Sequence, residues 1–196
     1  MSEHAREPRV VVIVRHGQTA WSVAGRHTGR TDVPLTEEGR DAAARLASAF
    51  APRSFSLVLT SPLRRARDTC ALAGYAAVAR VDDDLLEWDY GEYEGRTTAA
   101  IHGERPRWSL WYDGAPGGED AAAVGRRVDR VIATLRAAPG DALVFAHAHV
   151  LRVLAARWVG LHPEDGARFA LDPARPSTLG YERETPVIRE WNVPVA

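Results

Sequence analysis

Four short segments hold side chains of the kinds that move phosphoryl groups. The first is Arg15–His16–Gly17–Gln18–Thr19, directly after the apolar run Val10–Val14. A histidine just past a buried strand can turn a neutral ring nitrogen into the crevice beyond the strand ends. Arg15 can hold an anion there, and Gly17 leaves backbone room for it. The second segment is Ser61–Pro62–Leu63–Arg64–Arg65–Ala66–Arg67. It reads as a helix start, with Ser61 as N-cap and Pro62 as first helical residue. Arginines at the positive end of a helix are unfavourable unless an anion sits nearby. Arg64 and Arg65 therefore point to an anion or an acidic partner, whereas Arg67 can turn out to Asp68 or water.

The third segment runs from Asp82 to Gly91 and is dense in carboxylates. Glu87 lies beside aromatic rings, where a carboxyl group can have a raised pKa and act as a general acid. Asp82 and Asp83 read as solvated, and the run lacks the ligand spacing of a calcium loop. The fourth is Ala146–His147–Ala148–His149. Side chains two apart on extended chain share a face, so these histidines could form half a zinc site. No third ligand in an HExxH pattern supports a metal, and no cofactor is expected. A serine nucleophile elbow is also missing. Two histidines, several arginines and a glutamate fit transfer through a phosphorylated imidazole. One ring attacks phosphorus, the cations and the second ring neutralise its oxygens, and the carboxyl group protonates the leaving oxygen.

These residues must be brought together by the elements around them. Val10–Val14, Leu57–Leu59 and Ala142–Ala146 are short apolar runs that read as strands buried on both faces. Ala76–Val81 is a further candidate strand, and Leu179–Glu182 and Val187–Val193 are weaker ones. Thr36 caps a helix with Ala43, Leu46, Ala47 and Phe50 on its inner side. Leu63, Ala66, Cys70 and Ala73 mark a second helix, and Val124, Val128, Val131 and Leu135 a third, stopped by Pro139–Gly140. Val150–Trp158 is a fourth, shorter helix. Strands alternating with helices predict an α/β fold, a three-layer αβα sandwich around a mostly parallel sheet. His16 and His147 both follow strands, which makes two histidines distant in sequence one candidate site.

Composition narrows the possibilities. The chain has 196 residues, and all 25 basic residues are arginine. Without lysine there is no Schiff-base chemistry, no P-loop nucleotide site and no protein-kinase site. A net charge of −1 argues against a nucleic-acid partner. The single cysteine, Cys70, excludes an internal disulfide. No apolar run is long enough to span a membrane, and the leader Met1–Arg9 is polar. One domain over residues 1–196 and a cytoplasmic location are expected.

The motifs, in this order, resemble those of the histidine phosphatase superfamily in its phosphoglycerate-mutase-like branch. The resemblance runs from Val10 to about Trp158. Arg15–His16–Gly17 matches the RHG motif, which implies His16 as the phosphate-accepting nucleophile and Arg15 as a phosphate ligand. Arg65 matches the arginine before alanine in SPLxRAxxT. Glu87 matches the proton donor, with Tyr90, Gly91, Glu94 and Gly95 completing its segment, and His147 matches the second histidine. The resemblance further implies Ser22, Thr28, Gly29, Tyr90, Ala148 and His149 as substrate-binding positions.

Two departures stand out. Ala148 replaces the usual glycine, so that its methyl group is expected to crowd the phosphate or strain the backbone. Ser22 replaces an asparagine that often contacts phosphate. The segment after Glu87 is shorter than in mutases, and Thr98 stands where they have a lysine. The resemblance is thus nearest to acid phosphatase and sedoheptulose-bisphosphatase-like members. It implies a metal-independent phosphatase for a small phosphomonoester such as a sugar phosphate. Trp88, Tyr90, Trp108 and Trp111 can form a wall that selects it, with core packing as the other reading of the tryptophans. Mutase-type transfer and a non-catalytic phosphate-binding member are the alternatives. The oligomeric state stays open, a homodimer included.

Overall fold

The computed structural model describes residues 9–195. Most of the polar leader therefore lies outside the described residues. In chain order the elements are β1 (Val11–Arg15), α1 (Ala20–Val23), α2 (Glu37–Phe50), β2 (Leu57–Thr60), α3 (Arg64–Leu72) and β3 (Arg80–Val81). They continue with α4 (Thr98–Glu104), α5 (Leu110–Asp113), α6 (Ala121–Ala137), β4 (Ala142–Ala146), α7 (Ala148–Trp158), β5 (Pro176–Glu182) and β6 (Thr185–Glu190).

The sheet order is β3-β2-β4-β1-β5-β6. β1, β2, β3 and β4 pair in parallel, and β5 and β6 close one side antiparallel. Alternation along the strands divides the core. Ile13, Leu59, Val144 and Ala146 face the cluster that holds α6 and α7, while Val12, Val14, Val58, Leu143 and Phe145 face α2 and α3. That is the three-layer α/β arrangement expected from continuous apolar strand runs. No helix among the described residues is long and apolar enough to cross a membrane.

Several boundaries differ from the sequence expectation. The strand expected over Ala76–Val81 shrinks to Arg80–Val81, because Val78 and Ala79 donate back to the Tyr75 carbonyl in a turn. Helix α3 begins at Arg64 after Leu63, not at Pro62; the Ser61 hydroxyl meets the His147 ring at 2.7 Å and accepts the Leu63 N–H only at 3.4 Å. The last strand stops at Glu190, where Asn192 takes a positive φ and donates its N–H to Ser177. The irregular stretch 82–118 contains two short helices, α4 and α5, too brief to show a period.

The active-end loops are held by close backbone approach. A Cβ on Gly17 would lie 2.3 Å from the Gly39 carbonyl oxygen, and one on Gly39 would lie 2.2 Å from that of Gln18. Gly17 is therefore glycine so that the turn after β1 can press on the first turn of α2. The room it provides is for backbone, not for an anion. Gly17→Ala is expected to destabilise the protein by about 1–3 kcal/mol in urea unfolding. A loss within about 0.5 kcal/mol would show that α2 moves aside freely.

Candidate active site

β1 and β4 lie side by side, so their carboxyl ends deliver His16 and His147 to one place. The two rings meet edge to face with centroids 5.2 Å apart, both buried. His16 Nδ1 is 2.7 Å from the Gly17 carbonyl, which only accepts, so Nδ1 carries the proton and Nε2 keeps its lone pair. Burial, and then the charges of Arg15 and Arg65, hold His16 well below the ordinary histidine range. The ring is thus a neutral base under positive charge.

His147 accepts a hydrogen bond from Arg65 Nε at 3.1 Å on Nδ1 and meets the Ser61 hydroxyl at 2.7 Å through Nε2. Burial first, and then the charge of Arg65, also keep it neutral. Arg65 is itself fully buried. Its Nη1 donates to the Thr31 carbonyl, and its Nη2 to those of Thr28 and Gly29. The other arginine of this turn, Arg64, points out to Asp68 at 3.2 Å, and the N–H of Arg64 is capped by Asp32 at 2.8 Å. The acidic partner expected for this helix start is supplied by a distant loop.

A cleft of about 270 Å³ opens over His16. Arg15, His16, Ser22, Thr28, Glu87, Tyr90, Ala148 and His149 all line it. Gly29, Arg65 and His147 lie behind the wall. Gly29 is glycine because a Cβ there would meet the Glu94 carboxylate and the Trp88 carbonyl at 2.7 Å. Ser22 shares a capping box with Thr19, and its hydroxyl donates to the Thr19 carbonyl at 2.8 Å, so it is not a free donor for an anion. Ala148 is the first residue of α7 in ordinary helical backbone, which removes the expected strain. Arg15 donates through Nη1 to Leu171 at 2.7 Å, while its buried Nε has no partner among the described residues. A buried donor without a partner costs about 1–3 kcal/mol.

Glu87 departs most from expectation. Its carboxylate accepts the N–H of Trp88 and Val150 at 2.9 Å and that of His149 at 3.0 Å. Burial alone would push this carboxyl group up. The hydrogen bonding and charge of His149, the charge of His147 and the Trp88 N–H outweigh it and hold Glu87 well below the ordinary carboxylate range. When both rings are neutral, the backbone N–H groups at the start of α7 still favour the ionised form. The raised pKa expected from aromatic neighbours is overturned.

The aromatic wall also needs correction. Tyr90 lines the cleft and bonds His149 Nδ1 at 2.7 Å. Trp88 and Trp108 are buried supports bonded to the Glu119 and Gly114 carbonyls, and Trp111 packs against Trp88 and His149. His147 and His149 have different partners, and no group of three potential metal ligands occurs among the described residues.

Residues 11–194 match the family described as the histidine phosphatase superfamily (branch 1). The chain belongs to this superfamily. It is 40% identical over 176 residues to an acid phosphatase of Mycobacterium tuberculosis, covering 88% of this chain and 86% of the relative. It is 38% identical over 183 residues to a sedoheptulose 1,7-bisphosphatase of Saccharomyces cerevisiae, covering 76% and 67%. The solved structure of an open-reading-frame product of Mycobacterium tuberculosis superposes with a TM-score of 0.91 at 37% identity, over 96% of this chain and 99% of that one. The resemblance seen in the motifs is therefore membership.

Within this histidine phosphatase, six further residues line the cleft: Gly25, Arg26, His27, Thr98, Arg152 and Leu171. His27 stacks near Tyr90, with centroids 4.8 Å apart, and burial followed by the charge of His149 lowers it to about 4. Its place directly before Thr28 was the available signal. Arg127 and Glu119 were also missed. They form a nearly buried fork pair at 2.8 and 3.0 Å; Arg127 also donates to the Asp84 and Leu86 carbonyls, and Glu119 accepts the Asp89 N–H. The pair brackets the segment that carries Glu87.

These lowered histidines set the pH response of folding. Free histidine titrates near ~6.5, so the unfolded chain takes up protons before His16, His27, His147 and His149 do in the fold. Their contribution is complete above that pH and is lost as pH falls. The thermal midpoint should hold near neutrality and drop steadily between about pH 6.5 and 4. A midpoint that is flat or rising over that interval would contradict neutral, buried rings.

Proposed function

We propose that this histidine phosphatase is a metal-independent hydrolase of a small phosphomonoester, a sugar phosphate in class, acting through a phosphohistidine on His16. The observation that carries the reading is His16 itself: a neutral ring, tied through Nδ1 to the Gly17 carbonyl, with Nε2 left as nucleophile beside Arg15 and Arg65. The names of the relatives, an acid phosphatase and a sugar bisphosphatase, support hydrolysis and the substrate class.

In the first step, His16 Nε2 attacks phosphorus and the bond to the ester oxygen breaks. Arg15 lines the cleft and contacts the phosphate oxygens. Arg65 acts through its charge and by orienting His147, since four of its five N–H groups are bonded to carbonyls and that ring. Glu87 is ionised before substrate arrives. A phosphate group beside it raises its affinity for a proton, because like charges disfavour both being ionised. The proton that enters with the substrate monoanion thus passes to Glu87 and on to the departing oxygen. In the second step the Glu87 carboxylate takes a proton from water, whose oxygen attacks phosphorus and releases inorganic phosphate and free His16.

Phosphate release from a panel of sugar phosphates is expected from the native enzyme with or without EDTA. His16→Ala should lower it by about a thousandfold or more. Full activity in that variant would exclude the phosphohistidine route. Loss in EDTA would point to a metal. Transfer to a second hydroxyl without net release would point to a mutase.

A further inference from the structure

Glu87 sits on irregular chain. After β3 the backbone makes one short turn over Asp83–Leu85 and then runs without regular structure through Glu87 to Tyr90. The N–H groups at the start of α7 hold the Glu87 carboxylate, but that grip is useful only if the backbone beneath it stays in place. The anchor is the fork pair of Arg127 and Glu119. Arg127 Nη1 donates to the Asp84 carbonyl at 2.7 Å and to the Leu86 carbonyl at 2.6 Å. The Glu119 carboxylate accepts the Asp89 N–H at 2.9 Å. The Glu119 main chain donates to the Asp89 carbonyl and accepts the Trp88 indole N–H. Backbone groups on both sides of Glu87 are thus tied to one ion pair.

A nearly buried ion pair is a poor source of stability, since an apolar pair of like volume does as well or better. What it can do that apolar side chains cannot is hold particular backbone atoms in fixed places. Glu119 takes Arg127 Nε at 2.8 Å and Nη2 at 3.0 Å, which sets the plane of the fork and aims Nη1 at the two carbonyls. Arg127 projects from α6, and α6 packs against α7. The backbone of Glu87 and its carboxylate are therefore held from one rigid pair of helices. Neither Arg127 nor Glu119 lines the cleft, so the pair acts on a substrate only through Glu87.

We propose that Arg127, oriented by Glu119, is a positioning residue for the proton donor, fixing the chain from Asp84 to Asp89 so that the Glu87 carboxyl group stands where the ester oxygen departs. This role rests on the phosphatase reading, in which Glu87 passes its proton to that oxygen as the bond to phosphorus breaks. A displacement of about 1 Å in such a group can cost on the order of a hundredfold in rate. The cost falls on esters that need the proton. An alkoxide leaves poorly unless protonated, whereas p-nitrophenolate departs as the anion.

The deciding measurement is kcat/KM for two alkyl esters, fructose 6-phosphate and glycerol 3-phosphate, and for one aryl ester, p-nitrophenyl phosphate. It counts only the steps up to departure of the leaving group, so the later attack of water does not enter. Glu87→Gln is the reference and should lose about a hundredfold or more on the alkyl esters and far less on the aryl ester. Arg127→Gln and Glu119→Gln should repeat that pattern, with losses of about ten- to a hundredfold on the alkyl esters and less than about threefold on the aryl ester. Arg127→Lys keeps the charge without the fork and should restore part of the loss. Removing one partner of a buried pair can unfold a chain, so the double variant Arg127→Met with Glu119→Leu, which leaves no lone charge, carries the same prediction. If alkyl and aryl rates in the Arg127 and double variants hold or fall together, the proposal is overturned. Equal losses on both kinds of ester in Glu87→Gln, or no phosphate release from either alkyl ester by the native enzyme, would overturn the phosphatase reading, and this proposal with it.

Discussion

Arg65 is a fully buried guanidinium that has no carboxylate partner among the described residues. A charge in that position must be satisfied, and the protein does so with three backbone carbonyls and the His147 ring. Much of the active end is arranged around this requirement. The loop through Thr28, Gly29 and Thr31 must curl so that its carbonyls converge on Arg65. The Glu94 carboxylate then secures the same loop from the far side by accepting the N–H groups of Gly29 and Thr31. Gly29 cannot carry a side chain because Glu94 and Trp88 close in on it. One buried cation thus links α3, the second histidine and the wall of the cleft.

The electrostatic consequence is a site held positive with neutral imidazoles inside it. A protonated His16 could not attack phosphorus, and an isolated buried imidazole would have no means of drawing in an anion. Burial beside Arg15 and Arg65 meets both needs, because the cations disfavour the imidazolium and favour phosphate. Glu87 is the counterweight. It is held ionised by the N–H groups that open α7 and, in the proposed mechanism, takes the proton that enters with the substrate. Histidines, arginines and glutamate are therefore one coupled set of charges.

Much of this was legible in the sequence, for physical reasons. Strands buried on both faces are written as unbroken apolar runs, so Val11–Val14 and Ala142–Ala146 announced themselves, and the histidines after them fell at strand ends. Thr36 was legible as a cap because its side chain bonds an N–H three residues on. What depended on distant partners was not legible. The state of Glu87 is set by N–H groups 62 and 63 residues away. The need for glycine at residue 17 comes from Gly39 on another element. Arg127 looks in sequence like any arginine on an amphipathic helix, and only the fold lays it against the segment that carries Glu87. The tryptophans could be wall or core in the sequence, and the indole N–H groups of Trp88 and Trp108 are spent on buried carbonyls, which puts those two in the core.

The central claim is that phosphate passes through the Nε2 atom of His16. It is tested most directly by quenching turnover in alkali within milliseconds, digesting the protein and locating the phosphate by mass spectrometry and phosphorus NMR. The geometry predicts one labile phosphate, on His16, with the chemical shift of the Nε2 isomer because Nδ1 is tied to the Gly17 carbonyl. Phosphate on another residue, on Nδ1, or on no residue while hydrolysis proceeds would contradict it.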